Sequence, residues 1–148
     1  LLGDRLPVES LTVMVQKEAA DRLAAAPGTR ASSAISCAVS YYAKSKMMFT
    51  AAPGSFYPAP KVTSAVVRMD IRPTPAVQVE DEDGYFALIR AAFGQRRKTA
   101  ANAIASGLGR SKETVIAAIE AAGFDARIRP EALTLDDFAK IQQALAAQ

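Results

Sequence analysis

Histidine and tryptophan are absent from this chain of 148 residues, and cysteine occurs once, at Cys37. Without histidine the chain cannot form a Ser-His-Asp triad or a His/Cys zinc site, and one cysteine allows neither an intrachain disulfide nor a Cys-x-x-Cys redox motif. No charge-free stretch reaches the roughly 18 apolar residues of a membrane-spanning helix. These absences exclude much familiar catalysis and favour a cytoplasmic protein without membrane contact.

The composition is that of a soluble globular protein with material for about one ordinary domain core, because half of the residues are hydrophobic and 22% are charged. The N-terminal residues Leu1–Arg5 contain no Met, and the sequence around them lacks the apolar run of a signal peptide. This start is typical of a cut end, so we expect the chain to be a fragment.

Positive charge is only slightly in excess but unevenly placed. The chain has 18 Lys and Arg against 15 Asp and Glu, a net charge of +3. No acid interrupts the bases of residues 90–112, which are Arg90, Arg96, Arg97, Lys98, Arg110 and Lys112. This run follows the acidic run Glu80–Asp83 and predicts a positive field suited to phosphate. A solvated helix face explains the same charges equally well, so charge alone does not decide.

The first half of the chain has the pattern of an α/β fold. Leu11–Val15 is a short apolar run that predicts a buried strand, and Lys17–Leu23 favours a helix directly after it. Lys46–Thr50 and Val62–Ile71 predict two neighbouring strands, the second with Ala65, Val67, Met69 and Ile71 on one side. Between Leu23 and Lys46, helical spacing predicts a helix around a buried Cys37, with an apolar stripe of Ala34, Ile35, Ala38, Val39 and Tyr42.

After about residue 75 every periodic segment is helical. Glu80–Asp83 is assigned to a linker, and Gly107 and Gly109 predict a break between helices rather than a nucleotide loop. Ser111 and Thr134 are placed to cap helices, and Gly123 is a natural helix stop. The last helix is expected to bury Leu135, Phe138, Ile141 and Leu145. None of the carboxylates forms an acid/base pair suited to catalysis.

Two segments favour nucleic-acid binding. Phe56–Ser64 places Phe56 and Tyr57 on a proline-stiffened loop, where a flat base could stack, although the rings could equally pack into a core. Phe93–Thr99 presents three consecutive bases at a helix end, where they can reach more than one phosphate, although such runs also occur without function. Arg127 and Arg129 could also bind phosphate, but shaping the approach to the last helix explains them more simply.

Together, several segments resemble the ribosomal RNA adenine N6-dimethyltransferases, in order and with similar spacing along the whole chain. The small-subunit branch of this family is the most similar. The segments that carry the resemblance are Met14–Leu23, the F-x-P-x-P-x-V-x-S pattern of Phe56–Ser64 with Ala65–Arg68 after it, Phe93–Thr99, and Arg129–Leu133 with Phe138.

The resemblance implies that residues 1–75 are an α/β remnant of a Rossmann-like methyltransferase domain, contributing its late strands and helices. Residues 76–148 would then be a small all-α C-terminal domain that binds rRNA. S-adenosylmethionine is implied as methyl donor of the full-length enzyme. The family's glycine-rich donor loop, its acidic ribose-binding position and its Asn-Leu-Pro-Tyr type motif are absent from this sequence, so we expect neither a donor site nor catalytic residues here.

The resemblance also assigns roles to residues that are present. Phe56 would stack on the flipped target adenine with Tyr57 nearby, and Arg96, Arg97 and Lys98 would hold the RNA backbone. Arg90 and Lys61 complete the expected RNA-binding set. The implied substrate is a pair of adjacent adenines in the small-subunit (16S) rRNA of the 30S particle.

Three functions stay open at this point. The chain could be the C-terminal part of the dimethyltransferase, inactive alone, or a noncatalytic RNA-binding module of the same descent. The third is a large-subunit rRNA methyltransferase conferring antibiotic resistance, which segment Arg110–Leu145 makes the least favoured. An unpartnered strand edge also predicts self-association of the fragment.

Overall fold

The computed structural model describes residues 9–52, 63–95 and 97–147, and these form three strands and six α-helices. In chain order the elements are β1 (Ser10–Gln16), α1 (Lys17–Ala24), α2 (Ala34–Tyr42), β2 (Ala43–Ala51), β3 (Ser64–Ile71), α3 (Glu82–Ala92), α4 (Ala100–Leu108), α5 (Lys112–Ala121) and α6 (Leu135–Ala146). A 3-10 turn over Pro130–Ala132 precedes α6. In the described part of the chain, no helix has the length and apolar character needed to cross a membrane.

The three strands form one antiparallel sheet in the order β1-β3-β2. One face carries Ala65, Val67 and Met69 of the central strand, all buried, as their alternation predicts. These side chains pack with Ala20 of α1 and Val39 of α2, which cover that face. We call residues 10–71 the sheet half.

Strand β1 differs from the expected buried strand. Its side chains alternate between half-buried and exposed, and Met14 is 57% exposed. The reason is that the described residues cover only the face carrying Leu11, Val13 and Val15, so the opposite face stays open. The outer edge of β1 pairs with none of the described residues, and self-association through that edge stays a prediction.

Helices α3 to α6 enclose the second core, and we call residues 82–147 the helical half. Phe138, Ile141, Leu133 and Ile104 are completely buried there. The caps predicted at Ser111 and Thr134 are confirmed, the second as a full capping box with Asp137. The predicted buried positions of α6 are also confirmed, at Leu135, Phe138, Ile141 and Leu145.

The acidic run at residues 80–83 is not all linker. Helix α3 begins at Glu82 because the Asp81 side chain accepts a hydrogen bond from the backbone N–H of Gly84, which caps the helix. Glu82 and Asp83 then lie in the first turn, where their charges complement the helix dipole.

Gly107 does not break a helix, contrary to expectation. Helix α4 continues through it to Leu108 and ends at Gly109, which has the left-handed φ of 66° that favours glycine. Gly107 instead allows α4 to approach α3 closely, since an added Cβ would lie 2.6 Å from Cβ of Ala91. The second glycine acts as predicted and the first serves packing.

Helix α2 contributes to both cores. Val39 packs in the sheet half, whereas Cys37 and Tyr41 join the core of the helical half. The buried face is therefore not the predicted stripe, because Ile35 is 49% exposed while Ser36 is fully buried. The burial predicted for Cys37 is confirmed. The predicted domain boundary near residue 75 stays a prediction. Helix α2 precedes that boundary in sequence but packs in both cores.

Candidate nucleic-acid interface

The described residues include three of the seven predicted RNA-contacting side chains. Arg90, Arg97 and Lys98 are all exposed. The other four, the two loop aromatics among them, lie outside the described residues and are Phe56, Tyr57, Lys61 and Arg96. Exposure of three bases at the end of α3 and in the loop after it is consistent with the predicted phosphate contacts.

The loop between α3 and α4 has an unusual backbone at Arg97. Its φ is 66°, in the left-handed region that costs a non-glycine residue roughly 1–2 kcal/mol. Two residues later the Thr99 side chain accepts a hydrogen bond from the N–H of Asn102 and caps α4. Arg97 and Lys98 are thus held directly in front of the N-terminus of α4.

A second loop joins the first at this point. The N–H of Ala100 donates a hydrogen bond to the carbonyl of Ile128 at 2.9 Å, although 28 residues separate them in sequence. Arg127 and Arg129 flank Ile128, and both are exposed. The structure therefore joins the two loops that carry these basic pairs, although the loops lie far apart in the sequence. We call Arg97, Lys98, Arg127 and Arg129 the cationic surface.

The electrostatics of this surface suit an anion. The first turn of α4 contains no acidic residue, so its N-terminal dipole adds to the charge of the four bases. The nearby carboxylate of Asp125 accepts a hydrogen bond from the backbone N–H of Arg127 at 2.8 Å, and this bond lowers the pKa of Asp125. Asp125 also pairs with the Nε of Arg127 at 3.6 Å, but that side chain stays 89% exposed.

The sequence pattern favoured a structural role for Arg127 and Arg129 over phosphate binding, and part of that interpretation is right. Arg129 directly precedes the 3-10 turn at Pro130 that leads into α6. What the sequence does not reveal is the hydrogen bond between Ala100 and Ile128, because no local signal predicts which loop meets the start of α4. Only the pair of arginines itself hinted at an anion site.

The bases between residues 90 and 112, among which the sequence has no acid, do not form a single patch. Arg90 borders a groove of about 420 Å³ between α3 and the C-terminal half of α4, where Gln95 donates a hydrogen bond to Ser106 at 3.1 Å. Arg110 and Lys112 follow the C-terminus of α4, about 13 Å along its axis from Arg97 and Lys98. Helix α4 therefore divides the run between its two ends.

Neither a metal site nor an activated nucleophile is found among the described residues. No cluster of three potential metal ligands exists in this part of the chain. Cys37 is buried, and burial raises the pKa of its thiol to about 11 despite the hydrogen bond with Ser32. The thiol is neutral at neutral pH and serves packing. The arrangement as described is suited to binding polyanions.

Comparison with known proteins identifies a family whose name refers to RNA, which is a polyanion. The family model for ribosomal RNA adenine dimethylase matches residues 2–145. The chain belongs to the ribosomal RNA adenine dimethylase family. Among the family's curated members, ribosomal RNA small subunit methyltransferase A of Alkaliphilus metalliredigens is 44% identical over 148 residues, which cover 99% of this chain and 52% of that protein. The chain spans about half the length of the curated dimethylases it matches.

Two solved structures share the fold of this dimethylase chain. A dimethyladenosine transferase from Plasmodium falciparum superposes with a TM-score of 0.74 at 21% identity, covering 95% of this chain and 58% of the other. The 23S rRNA methyltransferase ErmE superposes with a TM-score of 0.65 at 18% identity, covering 96% and 57%. The arrangement of the small sheet and the helices thus recurs in larger methyltransferases.

Proposed function

We propose that this chain is the C-terminal half of an S-adenosylmethionine-dependent dimethyltransferase, a cytoplasmic enzyme that modifies N6 of two adjacent adenines in small-subunit rRNA. In this proposal residues 1–75 are the late part of a Rossmann-like methyltransferase domain and residues 76–148 are a helical RNA-binding domain. The observation that carries the RNA-binding role is the cationic surface at the N-terminus of α4. Membership in the dimethylase family and the small-subunit name of the curated relatives support the substrate.

The cationic surface would hold the RNA by its phosphates. Two basic pairs on two loops can engage more than one phosphate and fix the orientation of a folded RNA without reading its sequence. Phe56 and Tyr57, outside the described residues, are the proposed stacking partners of the extruded adenine, and Lys61 and Arg96 are further backbone contacts. Arg90 belongs to the same proposal at the α3–α4 groove.

The reaction needs more than these contacts. The N6 lone pair of adenine is delocalised into the ring, so methyl transfer requires acceptors for the N6 hydrogens and alignment with the donor methyl. S-adenosylmethionine supplies that methyl group as an electrophilic sulfonium.

The cavity beside the sheet half is unsuited to that donor. The cavity of about 500 Å³ between α1, α2 and the start of α6 is bordered by Lys44 and Arg72, whose positive charges oppose a sulfonium, with Asp136 as its one carboxylate. We therefore assign donor binding to other parts of the longer enzyme.

Salt-dependent binding tests the cationic surface. The chain is titrated with a small-subunit rRNA hairpin that carries two adjacent adenines, at several salt concentrations. Replacing Arg97 and Lys98 with alanine should lower the slope of log K against log salt by about 1.4–1.8, because each lost phosphate contact removes roughly 0.7–0.9. The matched control replaces Arg110 and Lys112, which removes the same charge from the other end of α4. Equal slopes for both double variants would contradict the proposal.

Methyl transfer distinguishes the possible functions. With labelled S-adenosylmethionine and unmodified small subunits, we expect no transfer by this chain and transfer by the full-length enzyme. Transfer by the chain alone would contradict the assignment of donor binding elsewhere. A full-length protein that binds the hairpin without methylating it would be a noncatalytic RNA-binding module, and preferred methylation of large-subunit rRNA would identify the other branch.

A further inference from the structure

Four aromatic rings meet where α2 of the sheet half contacts α3 of the helical half. They belong to Tyr41, Tyr42, Tyr85 and Phe86, which we call the aromatic cluster. The ring centroids of Tyr41 and Phe86 lie 4.9 Å apart in an edge-to-face arrangement, and those of Tyr42 and Phe86 lie 5.7 Å apart with nearly parallel planes. Tyr41 and Tyr85 are 5.6 Å apart. These separations are in the range of favourable aromatic pairs, so both halves contribute rings to one packed unit.

Hydrogen bonds fix this unit to its surroundings. The Tyr42 hydroxyl donates to Oε1 of Glu82 at 3.0 Å, which links the end of α2 to the start of α3. The Tyr85 hydroxyl donates to the carbonyl of Leu135 at 2.7 Å, which links α3 to α6. The N–H of Ala76 donates to the carbonyl of Tyr41 at 3.0 Å, so the connecting segment is attached to the same point. The cluster is therefore held in place by hydrogen bonds of defined geometry as well as by apolar packing.

The elements β2 and α3 both start at this junction, and each leads along the chain towards residues with a proposed RNA contact. Strand β2 starts directly after Tyr42 and leads to the segment with Phe56, whereas α3 starts at Glu82 and leads to the loop with Arg97. A rotation of about 10° at the junction would move the far end of α3, about 16 Å away, by roughly 3 Å and the far end of β2, about 30 Å away, by roughly 5 Å. A misplacement of about 1 Å can cost roughly a hundredfold in rate.

We propose that the aromatic cluster is a positioning element, which sets the orientation of the cationic surface relative to the sheet so that bound RNA presents its target base at the end of β2. This inference rests on the proposed function for its consequence in catalysis. Its structural part, a fixed orientation that depends on these rings, stands independently. Half-buried Phe86 and Tyr42 lie between the two halves and are the positioning residues to test.

Distance measurements between paired spin labels test the structural part. One pair joins Lys46 on β2 to Glu120 on α5, across the junction, and a second joins Glu120 to Lys140 within the helical half; all three positions are exposed and are replaced by cysteine for labelling. Cys37 is fully buried and is replaced by alanine. The substitution Phe86→Leu keeps an apolar side chain but removes the ring. The matched control, Phe93→Leu, removes a ring of the same chain region that pairs with Phe138 inside the helical half.

We expect Phe86→Leu to broaden the Lys46–Glu120 distance distribution roughly twofold and to leave the Glu120–Lys140 distribution unchanged, since halves without a firm interface move relative to each other. Phe93→Leu should broaden neither, whatever it does to the melting temperature. An unchanged Lys46–Glu120 distribution in folded Phe86→Leu, or equal broadening in both variants, would overturn the proposal. If Phe86→Leu does not fold, Tyr42→Leu, which removes the ring that stacks on Phe86, takes the same test with the same criteria.

The catalytic consequence is measured separately in the full-length enzyme. Phe86→Leu should lower kcat by about ten- to a hundredfold while the hairpin Kd and its salt slope stay unchanged. Loss of RNA binding in this variant would assign the cluster to the binding surface instead. Because the label distances need no RNA, failure of the proposed function would leave the distance result valid, and failure of the positioning role would leave the salt slopes valid.

Discussion

The helical half buries its apolar side chains more fully than the sheet half does. Helices α3 to α6 surround a core in which Phe138, Ile104 and Leu133 are inaccessible to solvent. The sheet is covered on one face only within the described residues, and its other face carries Met14 at 57% and Phe49 at 60% exposure. A strand sequence as apolar as Leu11–Val15 is ordinarily buried on both sides. The helical half therefore encloses its apolar core on all sides, whereas the sheet half leaves apolar side chains exposed on one face.

The largest expected effect contrasts the two cores directly. Phe138→Ala should lower the free energy of unfolding by about 3–5 kcal/mol, because it removes a ring from a closed core and leaves a cavity. Val67→Ala, at an equally buried position of the sheet, removes about two methylene equivalents and should cost about 2 kcal/mol. Urea unfolding of both variants checks this, and an equal or larger loss for Val67→Ala would break the comparison.

Close contact between α3 and α4 gives the next largest effect. A side chain at position 107 meets Ala91, so Gly107→Leu should destabilise the helical half by about 2–3 kcal/mol. Ala117→Leu, at an exposed position of α5, adds the same atoms without a clash and should change stability by less than about 0.5 kcal/mol. Thermal unfolding separates the two, and a neutral Gly107→Leu would show that the helices part easily.

The buried thiol predicts a pH dependence at the place where the halves meet. Burial raises the pKa of Cys37 from 9.0 to about 11, so the folded state holds this proton more tightly than the unfolded state. The stabilisation is fully present below pH 9 and is lost as the pH rises towards 11, by about 1.4 kcal/mol per pH unit at most. Burial also raises the pKa of Tyr85, which adds to the loss above pH 10. Denaturant unfolding at pH 8, 9 and 10 should show a shallower decline for Cys37→Ala, and identical declines would contradict the assignment.

The smallest effects compare a helix cap with the open face of the sheet. Thr134→Ala removes the capping box of α6 and should cost about 1 kcal/mol. Met14→Thr changes an exposed side chain of β1 and should alter stability by less than about 0.5 kcal/mol. Chemical denaturation resolves a difference of this size. A clear loss of stability for Met14→Thr would mean that the sheet face with Met14 is covered in solution. The contrast between the two halves would then not hold.

Local signals in the sequence predicted most of the elements. Period-two alternation identified β3, side-chain chemistry identified the caps at Ser111 and Thr134, and apolar spacing identified the buried face of α6. Errors arose where tertiary contacts decide: Ile35 is exposed although the predicted stripe of α2 included it, and Gly107 allows the close contact with Ala91 rather than ending α4. Burial on both faces of β1 was expected from composition, yet composition does not say which elements cover a strand.

The RNA contacts proposed for the site stay predictions, and the sequence did not show which bases lie together in space. The exposed bases Arg97 and Lys98 lie at a helix start, as expected of a phosphate contact. The basic run also grouped Arg110 with them by sequence distance alone, but the length of α4 separates Arg110 from Arg97 and Lys98. Arg127 and Arg129 were left out because the contact that joins them to the start of α4 is a backbone hydrogen bond, which side-chain patterns do not encode.

That single bond from Ala100 to Ile128 also determines what could be transplanted. A peptide copied from Phe93–Thr99 and grafted onto another helix would carry the consecutive bases without Arg127 and Arg129, and so only part of the cationic surface. Conversely, a relative that lengthened α5 by a turn would displace the loop with Arg127 while leaving the first loop intact. If the cationic surface binds phosphates as proposed, the register between the two loops sets the spacing of the phosphates that fit it.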